Sequence, residues 1–381
     1  MNAPTASKSR LTKDSPAPSS QRSSDAAPGK VRVMVVDDSL TVRTIFKRMV
    51  EGDPAMLVVA TASSAERAIA QLKTTPVDVI LLDLEMPGIG GLEALPALLE
   101  TGEGAEVLVV SSLAADGAEH TISALSMGAA DTMLKPRPGG FTDDYRSQLL
   151  GKIRALGGRD PAQVETTENV QAGGAANEEL VKRTKRPEIL AIGASTGGIH
   201  ALNLFLRTLP EEFDLPILIT QHLPTSFIPV FARQIEAASN RPTQIAEDGT
   251  EIRSGEIAVA TGHGHMVVRR AGERLVVRTS PKPARSGCMP SVDPMLSSIA
   301  QACDGHALAI ILSGMGRDGL EGAQELFDKG GTIFAQDMDT SAVWGMPGAV
   351  AKAGLTSLVG PPDALGKAAV SLAPALATAR K

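Results

Sequence analysis

The sequence predicts two α/β units, each built on a parallel sheet. Three observations carry this. Short apolar runs alternate with helical patterns from Val31 onward, residues with chemical potential stand where those runs end, and the alternation restarts near Ile189 after a stretch poor in apolar side chains. A chain of 381 residues suits two or three domains, and with 43% hydrophobic but only 3% aromatic residues its cores must be aliphatic.

Residues 1–30 are rich in Ser, Ala, Pro and Lys, too poor in large apolar groups to offset their ordering entropy, and are expected to form a disordered tail. Residues 31–150 form the first unit. Val31–Val36 reads as a buried strand running into Asp37-Asp38, and Ser39 can cap a helix whose apolar face is Val42, Ile45, Phe46, Met49 and Val50. Strands are expected at 57–60, 77–82, 107–110 and 132–134, with helices at 65–72, 91–100 (interrupted by Pro96) and 121–127. A last helix over 145–156 leads into a linker over 151–186, whose Lys182–Arg186 cluster reads as solvated chain rather than a nucleic-acid site.

In a parallel sheet, ligands gather at the carboxyl ends of the strands. Asp37, Asp38, Asp83, Ser111 and Lys135 all fall there. Converging carboxylates repel one another unless a cation joins them, and hard oxygen donors suit Mg²⁺. A lysine and a hydroxyl beside them would neutralise and hydrogen-bond a phosphoryl group carried on one carboxylate. A single acid at a strand end is ordinarily a solvated loop residue; five groups in this order are not.

Through Asp37-Asp38, Asp83 before Glu85-Met86-Pro87-Gly88, Ser111 and Lys135-Pro136, residues 31–150 resemble the receiver domain of response regulators. The resemblance implies a flavodoxin-like (βα)5 fold in which Asp83 accepts phosphate from a histidine kinase. It also implies that Asp37, Asp38 and Asp83 hold Mg²⁺ and that Ser111 and Lys135 contact the phosphoryl oxygens. Thr132 departs from the pattern, standing where many receivers carry an aromatic residue.

Residues 187–381 form the second unit. Its apolar strand over 188–192 ends in Gly193-Ala194-Ser195-Thr196-Gly197-Gly198, with a helical pattern after it. Strand, glycine turn and helix is a setting for a nucleophilic serine, and serves equally as a phosphate cradle. A strand over 216–220 ends at Gln221-His222, one over 307–312 at Ser313–Gly319, and another spans 331–335. Segments 257–260, 266–269 and 274–277 suggest an antiparallel excursion. Ser195, His222 and Asp318 thus each follow a strand, and a parallel sheet would gather them on one edge.

Acyl transfer needs that set. A hydroxyl is a weak nucleophile until an imidazole takes its proton, and a carboxylate must fix the imidazole's tautomer. Backbone donors around Thr196, Gly197 and the Gly314–Gly316 turn could stabilise an oxyanion, worth about 3 kcal/mol each. The His263/His265 pair reads as a turn rather than a metal site, His200 as a packing residue, and His120 and His306 have no partner visible in the sequence. The loop matches the α/β-hydrolase nucleophile elbow, but those enzymes run Ser, acid, His, whereas the order here is Ser195, His222, Asp318.

Residues 187–381 instead resemble the catalytic domain of the chemotaxis protein-glutamate methylesterase family, CheB. The matching segments are 192–198, Thr220-Gln221-His222, Pro290-Ser291-Val292-Asp293, 312–319 and Gly345-Met346-Pro347-Gly348-Ala349. The resemblance implies a doubly wound, mostly parallel α/β domain with an antiparallel hairpin, and carries the catalytic roles onto Ser195, His222 and Asp318. Thr196, Gly197 and Met315 fall at active-site positions, Met315 beside the oxyanion, and Met289 stands where the family often has Arg. The implied activity is phosphorylation-activated hydrolysis of glutamate γ-methyl esters on methyl-accepting chemoreceptors. Receptor glutamine deamidation is a second reaction of related enzymes, and no cofactor is expected in the catalytic domain. An esterase for small metabolites and a non-catalytic receptor adaptor are the competing readings.

Composition narrows the setting. A net charge of −6 argues against a general nucleic-acid or anionic-membrane surface. No apolar run approaches the roughly 18 residues of a membrane span, and residues 1–30 lack a signal-peptide core. Cys288 and Cys303 cannot make a disulfide framework and read as packing residues, so a cytoplasmic location is expected.

Overall fold

Val31–Val36 (β1) is buried except at Arg32, whose guanidinium pairs with Asp78 at 2.7 Å. In this computed structural model, which describes residues 29–111, 115–136, 140–158 and 185–373, β1 opens the first α/β unit. The expected tail over 1–30 and most of the expected linker over 151–186 lie outside the described residues. Ser39 accepts from Val42 N–H and starts α1 (Leu40–Glu51), followed by β2 (Met56–Ala62), α2 (Ala65–Leu72) and β3 (Val79–Asp83). Next come α3 (Gly90–Thr101), β4 (Glu106–Ser111), α4 (Ala115–Met127), β5 (Asp131–Leu134) and α5 (Asp143–Leu156). One expectation fails: α3 is not interrupted by Pro96. An interior proline costs about 3 kcal/mol, but Ala94, Leu95 and Leu98 are buried on either side of it and hold the helix to the sheet. The strands run parallel in the order β2-β1-β3-β4-β5, so the winding reverses beside β1 and β3.

The second unit has β6 (Ile189–Ala194), α6 (Gly198–Leu206), β7 (Ile217–Gln221), α7 (Ile228–Ser239), β8 (Thr243–Ala246), β9 (Glu251–Ile252) and β10 (Ile257–Ala260). After these come β11 (His265–Ala271), β12 (Arg274–Ser280), α8 (Val292–Ala302), β13 (Ala307–Ile311), α9 (Leu320–Asp328), β14 (Thr332–Gln336), α10 (Met346–Lys352), β15 (Leu358–Gly360) and α11 (Pro362–Leu372). A seven-stranded sheet in the order β15-β14-β13-β6-β7-β10-β8 is parallel throughout. Its central strands β6, β7 and β13 are buried at every residue, as strands covered by helices on both faces must be. The antiparallel excursion is real but composed differently from expectation. Segment 257–260 pairs in the parallel sheet, and the separate antiparallel sheet is β11-β12-β9. Burial of all four residues of β10 is the physical mark of its place in the central sheet.

Successive strands β6 and β7 pair, and β13 returns to the other side of β6. The crevice opens where the winding reverses, at the carboxyl ends of β6 and β13. Helix α8 lies close under it: a Cβ on Gly193 would meet Val292 Cγ1 at 2.5 Å. Gly193→Ala should therefore cost about 1–3 kcal/mol by overpacking. Gly151→Ala, in open space on α5, should instead gain up to about 1 kcal/mol of helix propensity. Urea unfolding of both variants checks the opposite signs; equal effects would show that the β6–α8 approach is not tight.

Candidate active site

Ser195 follows β6 in a turn that only glycine completes. Gly197 has φ +74°, and a Cβ there would lie 2.6 Å from Ala342 Cβ and 2.7 Å from Ser313 Oγ. The turn is stitched to the loop after β13, with Ser195 N–H donating to Ser313 O at 3.0 Å and Ser313 Oγ donating to Thr196 O at 2.7 Å. Gln221, at the end of β7, donates from Nε2 to Ser195 O at 2.9 Å.

The three residues that the sequence placed at separate strand ends meet here. Ser195 Oγ lies 3.1 Å from His222 Nδ1, and His222 Nε2 lies 2.8 Å from Asp318 Oδ2. An ionised carboxylate only accepts, so Nε2 carries a proton toward Asp318 and, in the neutral ring, Nδ1 is free to accept from the serine hydroxyl. The ring nitrogens are exchanged relative to the chymotrypsin arrangement, with the same proton path.

Asp318 is 2% exposed and is held by donors from the Pro290–Asp293 segment, to which the sequence assigns no role. Ser291 Oγ donates to its Oδ1 at 2.6 Å and Val292 N–H to its Oδ2 at 2.7 Å. Ser291 is the N-cap residue of α8, yet its side chain makes no bond to its own helix. The first N–H groups of a helix are unpaired and carry partial positive charge, and Asp318 takes the capping place from across the fold. Ser291 N–H in turn donates to Nδ1 of His265, a buried residue of β11 rather than a loop histidine. A serine followed by an apolar helical pattern signals a helix start; nothing in the sequence shows that the start faces residue 318.

The electrostatics follow. Burial alone would lower the His222 pKa, but the bond to Asp318 and the neighbouring Cys288 sulfur outweigh it and raise it to about 9. Burial works to raise Asp318, and His222 with the donors of Ser291 and Val292 overcomes it, holding the carboxyl well below its usual range. Asp293 is pushed up to about 7 by burial, against the Gly322 N–H it accepts, with the Asp318 charge adding to the rise. Of the two neighbouring acids, Asp318 keeps the charge. Cys303 is a core residue as expected, whereas Cys288 is only half-buried and stands at this site.

Thr196 and Gly197 are contacted by the first unit. Gly197 N–H donates to Ala130 O at 2.5 Å, and Thr196 Oγ1 donates to Asp131 Oδ2, also at 2.5 Å. Lys152 Nζ holds the same Asp131 oxygen at 2.5 Å. Ser126, at the end of α4, contacts His200 Nδ1 through its carbonyl at 3.1 Å and accepts from Asn203 Nδ2 at 3.0 Å through its hydroxyl. His200 is thus a contact between the units. Met315 is 40% exposed at the rim.

In the first unit the three expected carboxylates converge: Asp37, Asp38 and Asp83 each offer an oxygen within 4.8 Å of the others. Lys135 Nζ lies 2.8 Å from Asp37 Oδ2 and 2.6 Å from Asp83 Oδ2. Burial raises the Asp83 pKa to about 6 against the opposing pull of Lys135. Ser111 Oγ, fully buried, is 2.7 Å from Thr121 Oγ1 on α4. Its hydroxyl is engaged by the helix.

Fold and site together define a class: a serine-hydrolase centre on a doubly wound α/β sheet, with a receiver on its active edge. Residues 33–140 match the response regulator receiver domain family and residues 190–369 the CheB methylesterase family. The chain is similar to protein-glutamate methylesterase/protein-glutamine glutaminase 1 of Rhodospirillum rubrum, 39% identical over 90% of this chain and 95% of that one. It is 41% identical to the protein of the same description from Paramagnetospirillum magneticum, over 91% of this chain and 95% of that one. A crystal structure of the Thermotoga maritima CheB methylesterase catalytic domain covers 49% of this chain and 98% of its own, at 31% identity and a TM-score of 0.48. The chain belongs to the CheB family of protein-glutamate methylesterases/protein-glutamine glutaminases.

The His222 environment makes a measurable statement. In an NMR titration its imidazole should titrate near pH 9. In Asp318→Asn the charge that raises it is gone while burial remains, so the midpoint should fall well below 9. An unchanged midpoint would remove Asp318 as the cause.

Proposed function

We propose that this protein is a phosphorylation-activated protein-glutamate methylesterase, acting on glutamate γ-methyl esters of methyl-accepting chemoreceptors in the cytoplasm. The carrying observation is the hydrogen-bonded series Ser195 Oγ–His222 Nδ1–His222 Nε2–Asp318 Oδ2 at 3.1 and 2.8 Å. Ser195 Oγ attacks the ester carbonyl as His222, in the neutral fraction that grows as the pH rises toward 9, takes its proton at Nδ1. Asp318 stabilises the imidazolium, which returns the proton to the departing methoxide, and methanol leaves. Water, deprotonated by the same ring, then cleaves the glutamyl-serine ester and regenerates the hydroxyl. Gly197 N–H, with Thr196 and Met315 around it, supports the oxyanion. Amide hydrolysis of receptor glutamines follows the same route with ammonia leaving.

The chain divides into a receiver over 31–150, whose last helix α5 carries on to Leu156 inside the expected linker over 151–186, and a catalytic domain over 187–381, with the tail over 1–30 ahead of them. Asp83 is the phosphoacceptor for a histidine kinase. Asp37, Asp38 and Asp83 present only hard carboxylate oxygens, a donor set that fits Mg²⁺, which would screen the phosphoryl charge when bound. Lys135 contacts the phosphoryl oxygens. Ser111 can reach them only by turning away from Thr121, which disturbs α4 at its contact with the catalytic domain. The receiver's Ala130 carbonyl sits on the Gly197 N–H that an oxyanion needs, so the docked receiver and a bound transition state compete for one donor.

The test is methanol release from methylated receptor membranes, with and without a small-molecule phosphodonor. Ser195→Ala should lower the rate about 10³-fold or more, and Asp83→Asn should keep the basal rate but lose the response to the phosphodonor. Asp131→Ala, which removes the acceptor of Thr196, should raise the basal rate severalfold. Methanol release that survives Ser195→Ala would exclude the mechanism; a lower basal rate in Asp131→Ala would exclude blocking by the receiver.

A further inference from the structure

We infer that the active centre carries an inhibitory site for a thiophilic divalent transition metal, Zn²⁺ above all, formed by Cys288, His222 and Asp318. One ligand atom from each, a sulfur, an imidazole nitrogen and a carboxylate oxygen, lies within 4.8 Å of the other two. Tetrahedral Zn²⁺ takes these donor types at about 2.0–2.3 Å, which spaces ligand atoms about 3.3–3.8 Å apart. The cluster needs only small adjustments to reach that geometry. The 2.8 Å separation of His222 Nε2 and Asp318 Oδ2 must widen, so the ion takes the place of the proton between them. The fourth position is left to water, as in three-ligand zinc sites.

The surroundings favour such an ion. The Asp318 carboxylate is ionised and its second oxygen is already fixed by Ser291 Oγ at 2.6 Å. Outer contacts of this kind orient ligands for a metal. A cleft of ≈ 530 Å³ lined by Arg285, Cys288, Asp293, Met315, Arg317 and Asp318 gives a route in. All of these residues belong to the second unit, so the docked receiver does not close it. Cys288 is free and half-buried on this cleft, with its Sγ 3.9 Å from the Ser286 carbonyl as a weak contact.

Binding releases to solvent the thiol proton of Cys288 and, from the imidazolium of His222, the proton at Nε2, leaving the other on Nδ1, and the metal bonds to sulfur, nitrogen and oxygen replace them. An imidazole metallated at Nε2 stays neutral only if Nδ1 keeps a proton, so it cannot accept one from Ser195. Asp318 is occupied at the same time. The occupied site is therefore inactive whatever the phosphorylation state of Asp83.

The test uses the full-length protein stripped of metal with chelator. Co²⁺ added to the wild type should give a thiolate-to-cobalt charge-transfer band, which Zn²⁺ should abolish by displacement. The band should persist in Ser195→Ala, which has all the ligands, and be lost in Cys288→Ser. Zn²⁺ should also protect the Cys288 peptide of the wild type from iodoacetamide, a readout that needs no variant. In methanol release, each protein compared with its own metal-free rate, Cys288→Ser should require about tenfold or more Zn²⁺ for half-inhibition. An unchanged cobalt spectrum and zinc sensitivity in Cys288→Ser, or no protection of the wild-type thiol, would overturn the site. The activity arm rests on the proposed esterase reading, whereas the spectral and alkylation arms stand without it.

Discussion

Everything at the Ser195 edge depends on the parallel pairing of β6 with β13. Ile189–Gly193 lies beside Ala307–Ile311, although more than half of the second unit separates them in sequence. The chain leaves β6 toward β7 on one side and comes back to β13 on the other, so the loops after β6 and β13 diverge and leave a crevice. Backbone bonds lock the two loops together before any side chain is involved: Leu312 N–H donates to Gly193 O at 2.9 Å and Ser195 N–H to Ser313 O at 3.0 Å. That rigidity is what lets a hydroxyl from one strand end and a carboxylate from another approach the same imidazole.

The second constraint is that one carboxylate does two jobs. Asp318 closes the N-terminus of α8, and it also holds His222. In most helices the capping oxygen comes from the N-cap residue itself, but Ser291 turns its hydroxyl outward and donates it. The helix therefore docks through the bonds that keep Asp318 ionised in a buried place, where an unpaired charge would cost several kcal/mol. Structure and charge are linked here, so the α8 terminus cannot move without changing the electrostatics of His222.

How much of this was legible in the sequence differs between the two sites. In the receiver, Asp37, Asp83 and Lys135 each end a strand in a short βα repeat, and sequence order alone brings them together, as it does in space. In the second unit, Ser195, His222 and Asp318 could be named as strand-end residues and do converge. The roles of their supports could not, although Gln221 and Ser291 fall in segments that resemble the family. Ser291, Gln221 and His265 touch the site through pairings across the fold, and no local pattern encodes which residue a helix N-terminus will face. Cys288 reads as a packing residue because a small thiol in an irregular loop has no periodicity to expose its neighbours. Segment 257–260 was misplaced for a related reason: a four-residue apolar run fits a hairpin and a buried parallel strand equally well. Pro96 misled in the other direction, since helix-breaking propensity is outweighed when both flanking turns are buried.

The contact between the units shows why a small chemical change in the receiver can govern the distant serine. A backbone N–H has one hydrogen to give, and that of Gly197 is given to Ala130 in this structure. In the proposed mechanism an oxyanion forming over Ser195 takes it back, which makes receiver docking and transition-state binding compete for that atom. The coupling between the two sites is then the free energy of docking itself. Thr196–Asp131, Asn203–Ser126 and Arg233–Glu119 are polar contacts at 2.5–3.0 Å; the first two each contribute about 0.5–1.5 kcal/mol net, and the solvent-exposed Arg233–Glu119 pair about 0.2–1 kcal/mol. Displacing α4 disturbs the Ser126 and Glu119 contacts together, because Glu119, Thr121 and Ser126 lie on that one helix. Losing about 1–2 kcal/mol shifts a two-state docking equilibrium by roughly 5- to 30-fold. No long-range distortion of the catalytic sheet is required. In the proposed mechanism Asp83 acts on α4 through the Ser111–Thr121 hydroxyl pair, 2.7 Å apart.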